Sequence, residues 1–528
     1  MKATFNKTIQ FSLITFILVI MASCSGTKKF MYSIPADADK LYTVNVNSIV
    51  EKTGIHKKKN KELKKLMLEA LKKEMVADDY DQIEKIINDF SNSGIDTNEP
   101  LYFFNAPSLA YRTITANLKS QEQLKKTISL LEKYNLSEPL VEEEPYFYTV
   151  ITDNLFIIFD KQTVFLINAP SKKREAAKKQ ALNLFTLPKE ESFVKGKAQT
   201  FKKIRSEDKD MVFYSLVDNI PSRYKKEIEK ITNTTIDISN VGIINTIHFD
   251  KGKTQLTLQL DSESLASIKN NIALKTLKGN LLDQFPANTI ALFNMGINGK
   301  ELYKNLLKQE NPPQELYATA IKDLIESLNG DCSIGVFTMG LEKASPNFLA
   351  LIEAETQNIR MDSLLSNKEY LQLRKNEDII NLKENEYLWR NFYINSSLSR
   401  YLSNDLFFGL KKDYIYVTNS ELIYKDIGNK IDKTMKDSDL TSNLKGKISF
   451  TTFNIEEILN LPFVKVLMLF GGDEAKQIMD KASLFTHLEI LNENKSNVIE
   501  ATLYQKESKQ TILELFLDDL IHSLPITQ

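Results

Sequence analysis

The chain has 528 residues, with 68 Lys and Arg against 69 Asp and Glu, and 42% hydrophobic and 26% charged residues. Those proportions belong to a globular protein of more than one domain and exclude a wholly disordered chain or a polytopic membrane protein, while the balanced charge excludes a dedicated nucleic-acid binder. Only 2 Cys, 4 His and 17 Gly are present, so material for metal, thiol or glycine-loop phosphate chemistry is scarce.

Lys2 and Lys7 open the chain, and Ile9 to Ala22 is mostly apolar. That run is shorter than the ~20 residues a spanning helix needs and fits the apolar region of a secretory signal. It ends in Met21-Ala22-Ser23-Cys24, which resembles the lipobox of bacterial lipoproteins. The resemblance implies removal of residues 1–23, acylation of Cys24 and a tether over 24–34; the plainer alternative is secretion with cleavage near Ala22. Two acyl chains suffice for stable anchoring, so the membrane is the first expected partner, through the N-terminal lipid. Lys28 and Lys29, where surface-exported lipoproteins carry acids, imply the periplasmic face, and Ser25 implies the outer membrane. Removing Lys2 and Lys7 from the 68 bases leaves 66 against 69 acids, a net charge of −3.

From residue 35 onward the pattern is α+β. Pro35 to Asn47 reads as a strand and a helix start, since apolar residues alternate. Residues 57–90 predict two helices. The first has the stripe Leu63, Leu66, Met67, Ala70 and Leu71 beside Lys57, Lys58, Lys59, Lys61, Lys64 and Lys65; the second has Ile83, Ile86, Ile87 and Phe90. Two strands follow, Leu101–Phe104 and Tyr111–Ile114, joined across Pro107, with a helix near Ser120. Glu142-Glu143-Glu144 reads as a surface loop. A hairpin runs from Leu155–Phe159 through Asp160-Lys161-Gln162 to Thr163–Ile167, and Ser171 stands where a helix N-cap belongs. Met211–Tyr214 is a strand, a helix follows near Pro221, a hairpin turns at Asp250–Lys253, and Leu265, Ile268 and Ile272 mark a closing helix.

The same landmarks return in order. Pro286–Met295, Ile334–Phe337 with Leu349–Ile352 across Pro346, and a helix near Asn358 match the first series. The hairpin Leu406–Leu410 to Tyr414–Val417, the cap Ser420, the strand Ile448–Thr451, a helix near Pro462 and a turn at Asn492–Lys495 match the rest. Leu513, Phe516, Leu517, Leu520, Ile521 and Leu524 form one face of a closing helix. The expectation is an internal duplication, 35–275 and 285–528, each half an antiparallel sheet with helices packed on one face. The alternative is that any α+β chain supplies strand–turn–strand units at such spacing.

Candidate sites are few. Lys57, Lys58 and Lys59 could meet an anionic membrane surface, or form a solvated face. Asp78, Asp79 and Asp81 lack the spacing of a calcium loop and suit a helix N-terminus. His56, His248, His487 and His522 form no zinc motif; if the halves are duplicated, His248 and His487 are rough equivalents. Gly471-Gly472-Asp473 lacks the Lys-Ser/Thr of a phosphate loop and reads as a helix end. Cys332, the thiol left after Cys24 is acylated, reads as a buried residue at a strand start. Neither a metal nor a cofactor is expected. Tyr387, Trp389, Phe392 and Tyr393 make the densest aromatic cluster and hold the single Trp; they could line a glycan or peptide site, or pack a core.

The lipobox, a body of about 500 residues and Ser33-Ile34-Pro35-Ala36-Asp37-Ala38 leading into a strand resemble a family of uncharacterised Bacteroidota-type lipoproteins of unknown function. That family carries no assigned catalytic residues. The expected role is non-catalytic, binding or structural, at the cell envelope with a protein partner there. A glycan or peptide receptor and a hydrolase with an unrecognised site are the alternatives.

Overall fold

A computed structural model describes residues 28–55, 57, 65, 68–69, 71–72, 75–151, 154–207, 209–216, 241–261, 273–308, 312–337, 347–366, 368–390, 405–493 and 498–523. Cys24, Lys58, Lys59, Phe392, Tyr393, His56 and the stripe Leu265, Ile268 and Ile272 lie outside them. The described chain divides into a first unit, 28–261 with 508–523, and a second unit, 273–507. Both are α+β, as the sequence predicts.

In the first unit the strands are β1 (Lys40–Val44), β2 (Leu101–Asn105), β3 (Thr113–Asn117), β4 (Val141–Glu143), β5 (Tyr146–Ile151), β6 (Leu155–Phe159), β7 (Thr163–Asn168), β8 (Met211–Leu216), β9 (Gly242–Asp250) and β10 (Lys253–Asp261). All pair antiparallel, in the order β10-β9-β8-β1-β2-β3-β7-β6-β5-β4. Tight turns explain the pairings. At the β6–β7 hairpin, Asp160 accepts hydrogen bonds from the backbone of Gln162 and Thr163 at 2.8 and 2.7 Å, the side-chain mimicry that favours Asp in turns. β4, a short edge strand rather than a loop, holds Glu142 and Glu143, with Glu144 in the turn after it. Its exposed carboxylates leave that edge unattractive to a further strand.

Helices cover both faces of this sheet, where one covered face was expected. The cause is legible in β6, Leu-Phe-Ile-Ile-Phe. A strand apolar on both sides needs cover on both sides. Phe156 and Ile158 enter a core with the helices Arg174–Phe185 and Ala198–Ser206, and Ile157 and Phe159 enter another with Ala77–Asn88 and Gln121–Lys133. The helix Gln121–Lys133 starts where the hydroxyl of Ser120 accepts from Gln123 N at 3.2 Å, and Leu124, Ile128 and Leu131 then face inward. Ser171 is the first residue of a short 3-10 turn that precedes the next helix.

The C-terminal helix Ile512–Ser523 was expected from chain order to close the second half. It packs instead on the first unit's Val46–Thr53 helix and on β9. Thr511 Oγ1 donates to the carbonyl of Lys52 at 2.5 Å and accepts from Glu514 N at 3.1 Å, so it ties the two helices while capping one of them. Glu514, buried, takes the Lys57 ammonium at 2.5 Å.

The second unit comprises β11 (Leu274–Lys275), β12 (Ala291–Asn298), β13 (Leu328–Phe337), β14 (Asn347–Ala354), β15 (Ile379–Lys383), β16 (Glu386–Trp389), β17 (Leu406–Lys411), β18 (Tyr414–Thr418), β19 (Ser449–Asn454), β20 (Phe485–Asn492) and β21 (Val498–Gln505). The order is β21-β20-β19-β12-β13-β14-β18-β17-β16-β15, again antiparallel, with β11 beside β12. Its main core gathers Leu292, Leu351, Tyr416, Met435 and Phe450. Asn residues end β12 and β19 as one precedes the Val46–Thr53 helix. Asn298, Asn454 and Asn45 each accept a hydrogen bond from the backbone three residues on and so start a helix. Ser420 caps Glu421–Asp426 as expected.

Candidate functional site

The most ligand-like feature is an apolar cavity of about 80 Å³ inside the first unit. It lies between one sheet face and the helices Ala77–Asn88 and Gln121–Lys133. The first helix contributes Ile83 and Ile86; the second contributes Leu124, Thr127, Ile128 and Leu131 at i, i+3, i+4 and i+7. Ile114, Ile151, Leu155, Ile157, Val164 and Leu166 line it from β3, β5, β6 and β7, and Phe90, Ser93, Ile95 and Leu101 close the side. No charged residue lines it. Its two hydroxyl side chains are already engaged: Thr127 Oγ1 lies 3.1 Å from the carbonyl of Ser93 and 3.0 Å from that of Gln123, and Ser93 Oγ accepts from Ile95 N at 3.4 Å. The wall holds together through Gly94, whose φ is +98° and whose carbonyl accepts from Lys119 N and Ser120 N at 2.9 and 3.0 Å. At about 24 cal/mol per Å³, leaving such a space empty forgoes about 2 kcal/mol of packing.

The sequence reading foresaw the Ile83, Ile86, Ile87 and Phe90 stripe but not the space. A periodic pattern shows which faces are buried, and a gap between two buried faces leaves no mark on it.

A polar cluster of the first unit surrounds Asp210, which is fully buried just before β8. Its carboxylate accepts from Ser48 Oγ at 2.5 Å, Lys52 Nζ at 2.8 Å and Phe249 N at 2.6 Å, with His248 Nδ1 at 3.2 Å. Asp250 lies 3.3 Å from the other ring nitrogen of His248. Ser48 and Lys52 tie the Val46–Thr53 helix to the start of β8, and Phe249 and His248 tie β9 to it, so the cluster works as a clamp. No local signal around Lys209-Asp210 marks it in the sequence.

His248 and His487 fall on strands in corresponding places, β9 and β20, but at different positions along them. His248 stands two residues before the end of β9, whereas His487 pairs with Asn454 near the start of β20. His487 stacks on Tyr504, with ring centroids 4.2 Å apart, and burial holds its pKa below the usual value. Cys332 sits within β13, where burial and the neighbouring Asp331 push its thiol up to about 11, far from a reactive thiolate.

Of the aromatic candidates, Tyr387 is core. It is 1% exposed, stacks on Phe408 and donates to Asp362 Oδ1 at 3.1 Å. Trp389, half-buried, meets Tyr370 edge-on. Asp79 receives Lys133 Nζ at 2.6 Å and the Tyr134 hydroxyl at 2.8 Å from the first turn of its helix. Gly471 separates the helix Pro462–Phe470 from Gly472–Ala482, which opens on Gly472 at φ +66° and holds Asp473 and Glu474 in its first turn. Among the described residues no group of three or more His, Cys, Asp and Glu could hold a metal ion, and no helix is long and apolar enough to cross a membrane.

Among solved structures, two crystal forms of TP0453 are similar to the chain. One has 11% identity and a TM-score of 0.23 over 43% of this chain and 79% of that one. The other has 11% identity and a TM-score of 0.25 over 47% and 88%. No curated protein matches the chain. A family model described as a domain of unknown function, DUF4836, matches residues 30–512, and the chain belongs to that family.

Proposed function

We propose that the protein is a lipid-anchored cell-envelope protein whose role is to bind an apolar ligand, without catalysis. The observation that carries the reading is the cavity, whose wall is aliphatic but for Phe90 and the hydroxyls of Ser93 and Thr127 and holds no charged side chain. The anchor half of the reading rests on the signal-like segment ending at Cys24. It is supported by Lys28 and Lys29, which fix the start of the described chain to the first unit: Lys28 pairs with Asp96 at 2.9 Å and Glu99 at 3.1 Å, and Lys29 with Asp160 at 3.2 Å. Outer-membrane residence facing the periplasm, with an envelope protein partner, completes the proposal. The matching order of ten strands in the two units supports an origin by duplication. Metabolic labelling with palmitate tests the anchor. The wild-type chain should carry label and sediment with membranes, and Cys24→Ser should lose both; label retained by the variant would refute it.

A further inference from the structure

We propose that the helix pair 462–482 of the second unit docks on a lipid bilayer, with its apolar side chains in the bilayer interface. The inference goes beyond the cavity and the anchor and needs neither. The helix Pro462–Phe470 reads Pro-Phe-Val-Lys-Val-Leu-Met-Leu-Phe, with Lys465 its single charge. A helix at the surface of a water-soluble protein turns a polar face outward. Here Val466 and Phe470, four residues apart and so on one face, are 50% and 85% exposed. On the next helix, Gly472–Ala482, which packs on the first, Ile478 is 67% exposed. Exposed apolar residues scattered singly are ordinary, but these three flank one turn, Gly471-Gly472, and lie within about 10 Å of it along their helices. That turn stands clear, since a Cβ placed on Gly472 would meet no neighbouring atom within 4 Å.

Area and charge select a bilayer over a protein partner. At roughly 100 Å² each, the three side chains offer about 300 Å², well short of the ~800 Å² that each partner brings to a stable protein interface. Lipid takes up such side chains without a complementary surface, in proportion to the apolar area buried. Lys465 is exposed beside Val466, and its ammonium can reach headgroups while its methylenes follow the apolar side chains. The charges of the two helices balance, Lys465, Lys476 and Lys481 against Asp473, Glu474 and Asp480, so attachment is by apolar contact with neutral lipid and not by attraction to an anionic surface. The first helix has 9 residues, about 14 Å of length, too short for a hydrocarbon core of about 30 Å, so it lies in the interface and does not span.

The test uses the mature chain without acyl groups and vesicles of pure phosphatidylcholine. Flotation should recover the chain with the vesicles, equally at low and high salt. Phe470→Asp and Ile478→Asp, at positions open to water, should each weaken partition by about tenfold while circular dichroism stays unchanged. Leu422→Asp, at a residue also exposed in this unit, should leave partition unaltered. In a Trp389→Phe background, Phe470→Trp keeps the apolar character and supplies a reporter. Its emission should shift to the blue on adding vesicles and be quenched by lipid brominated on its acyl chains, which answers the question even if an Asp variant misfolds. Absence of flotation, flotation with anionic lipid alone, or a reporter untouched by brominated lipid overturns the inference. So does a dimer in sedimentation velocity that Phe470→Asp dissolves, which assigns the surface to a second copy. Because the tested chain carries no acyl group, failed palmitate labelling leaves vesicle binding standing, and failed vesicle binding leaves the anchor standing.

Discussion

Replacing Asp210 with Ala should be among the most damaging single changes in the first unit. The carboxylate is fully buried and serves Ser48, Lys52 and Phe249 N directly, with His248 beside it. Removing it takes the acceptor from the half-buried amide of Phe249, a loss of about 1 kcal/mol or more, and takes the counter-charge from Lys52. Breaking a buried ion pair costs about 3–5 kcal/mol, but the Lys52 side chain keeps 20% of its surface in solvent and can recover some hydration. The expected total is about 3–5 kcal/mol, a large share of the ~5–15 kcal/mol of a typical domain. Asp210→Asn, which keeps an acceptor for Phe249 N, should lose about half as much. The double change Asp210→Leu with Lys52→Met should cost clearly less than the two single changes added, because it removes both charges together. Trp389 belongs to the second unit, so its fluorescence does not report this event; hydrogen exchange of β8 and β9 peptides does. If Asp210→Ala changes their opening free energy by less than ~0.5 kcal/mol, the clamp assigned to Asp210 is wrong.

Three further outcomes are expected. Gly94→Ala should destabilise the cavity wall by more than ~2 kcal/mol, read by exchange in residues 121–133, because an L side chain is strained at φ +98° and its Cβ would lie 2.4 Å from the backbone nitrogen of Leu124. Burial raises the pKa of Glu386, but hydrogen bonds from Lys411 at 2.7 Å and Tyr424 at 2.6 Å outweigh it and hold the carboxyl below the usual range. A depressed carboxyl stabilises the fold above its unfolded pKa and loses that contribution as pH falls through its folded pKa; Glu386→Gln should therefore flatten the acid-side loss of second-unit stability below about pH 4.3, followed by Trp389 emission in urea. The Cys332 thiol, raised to about 11, should react slowly with a disulfide reagent at pH 8 and quickly once urea opens β13.

What could be read in the sequence was whatever is decided locally. The Asp160 hairpin, the helix start near Ser120, the Ser420 cap and the alternation in β1 depend on residues within a few positions of one another, and each appears where expected. Non-local partners were not legible. The apolar face of the C-terminal helix announces burial, yet nothing in Leu513, Phe516 and Leu517 says that the surface it covers is the Val46–Thr53 helix. Asp210 is an ordinary acid in its own segment and becomes a clamp only because β9 and a helix 160 residues earlier converge on it. The second covered face was legible and was missed, since β6 has no polar position to turn toward water.

The two units differ in what covers their sheets. Their strands pair in corresponding order, yet the cover differs. In the first unit Ile83, Ile86, Leu124 and Ile128 roof a sheet face and leave an enclosed space. In the second, Phe293, Met295 and Ile334 on β12 and β13 remain 39–43% exposed, and Phe470 at the end of its helix is 85% exposed. Strand order is fixed by short turns and paired registers, which tolerate little variation. Helices resting on a sheet contribute side chains without setting the register, so their residues can change size while the sheet persists. Substitutions on Ala77–Asn88 and Gln121–Lys133 should accordingly reshape the cavity while the sheet persists, whereas equivalent changes in β6 or β7 would disturb two cores at once, because both faces of those strands are buried.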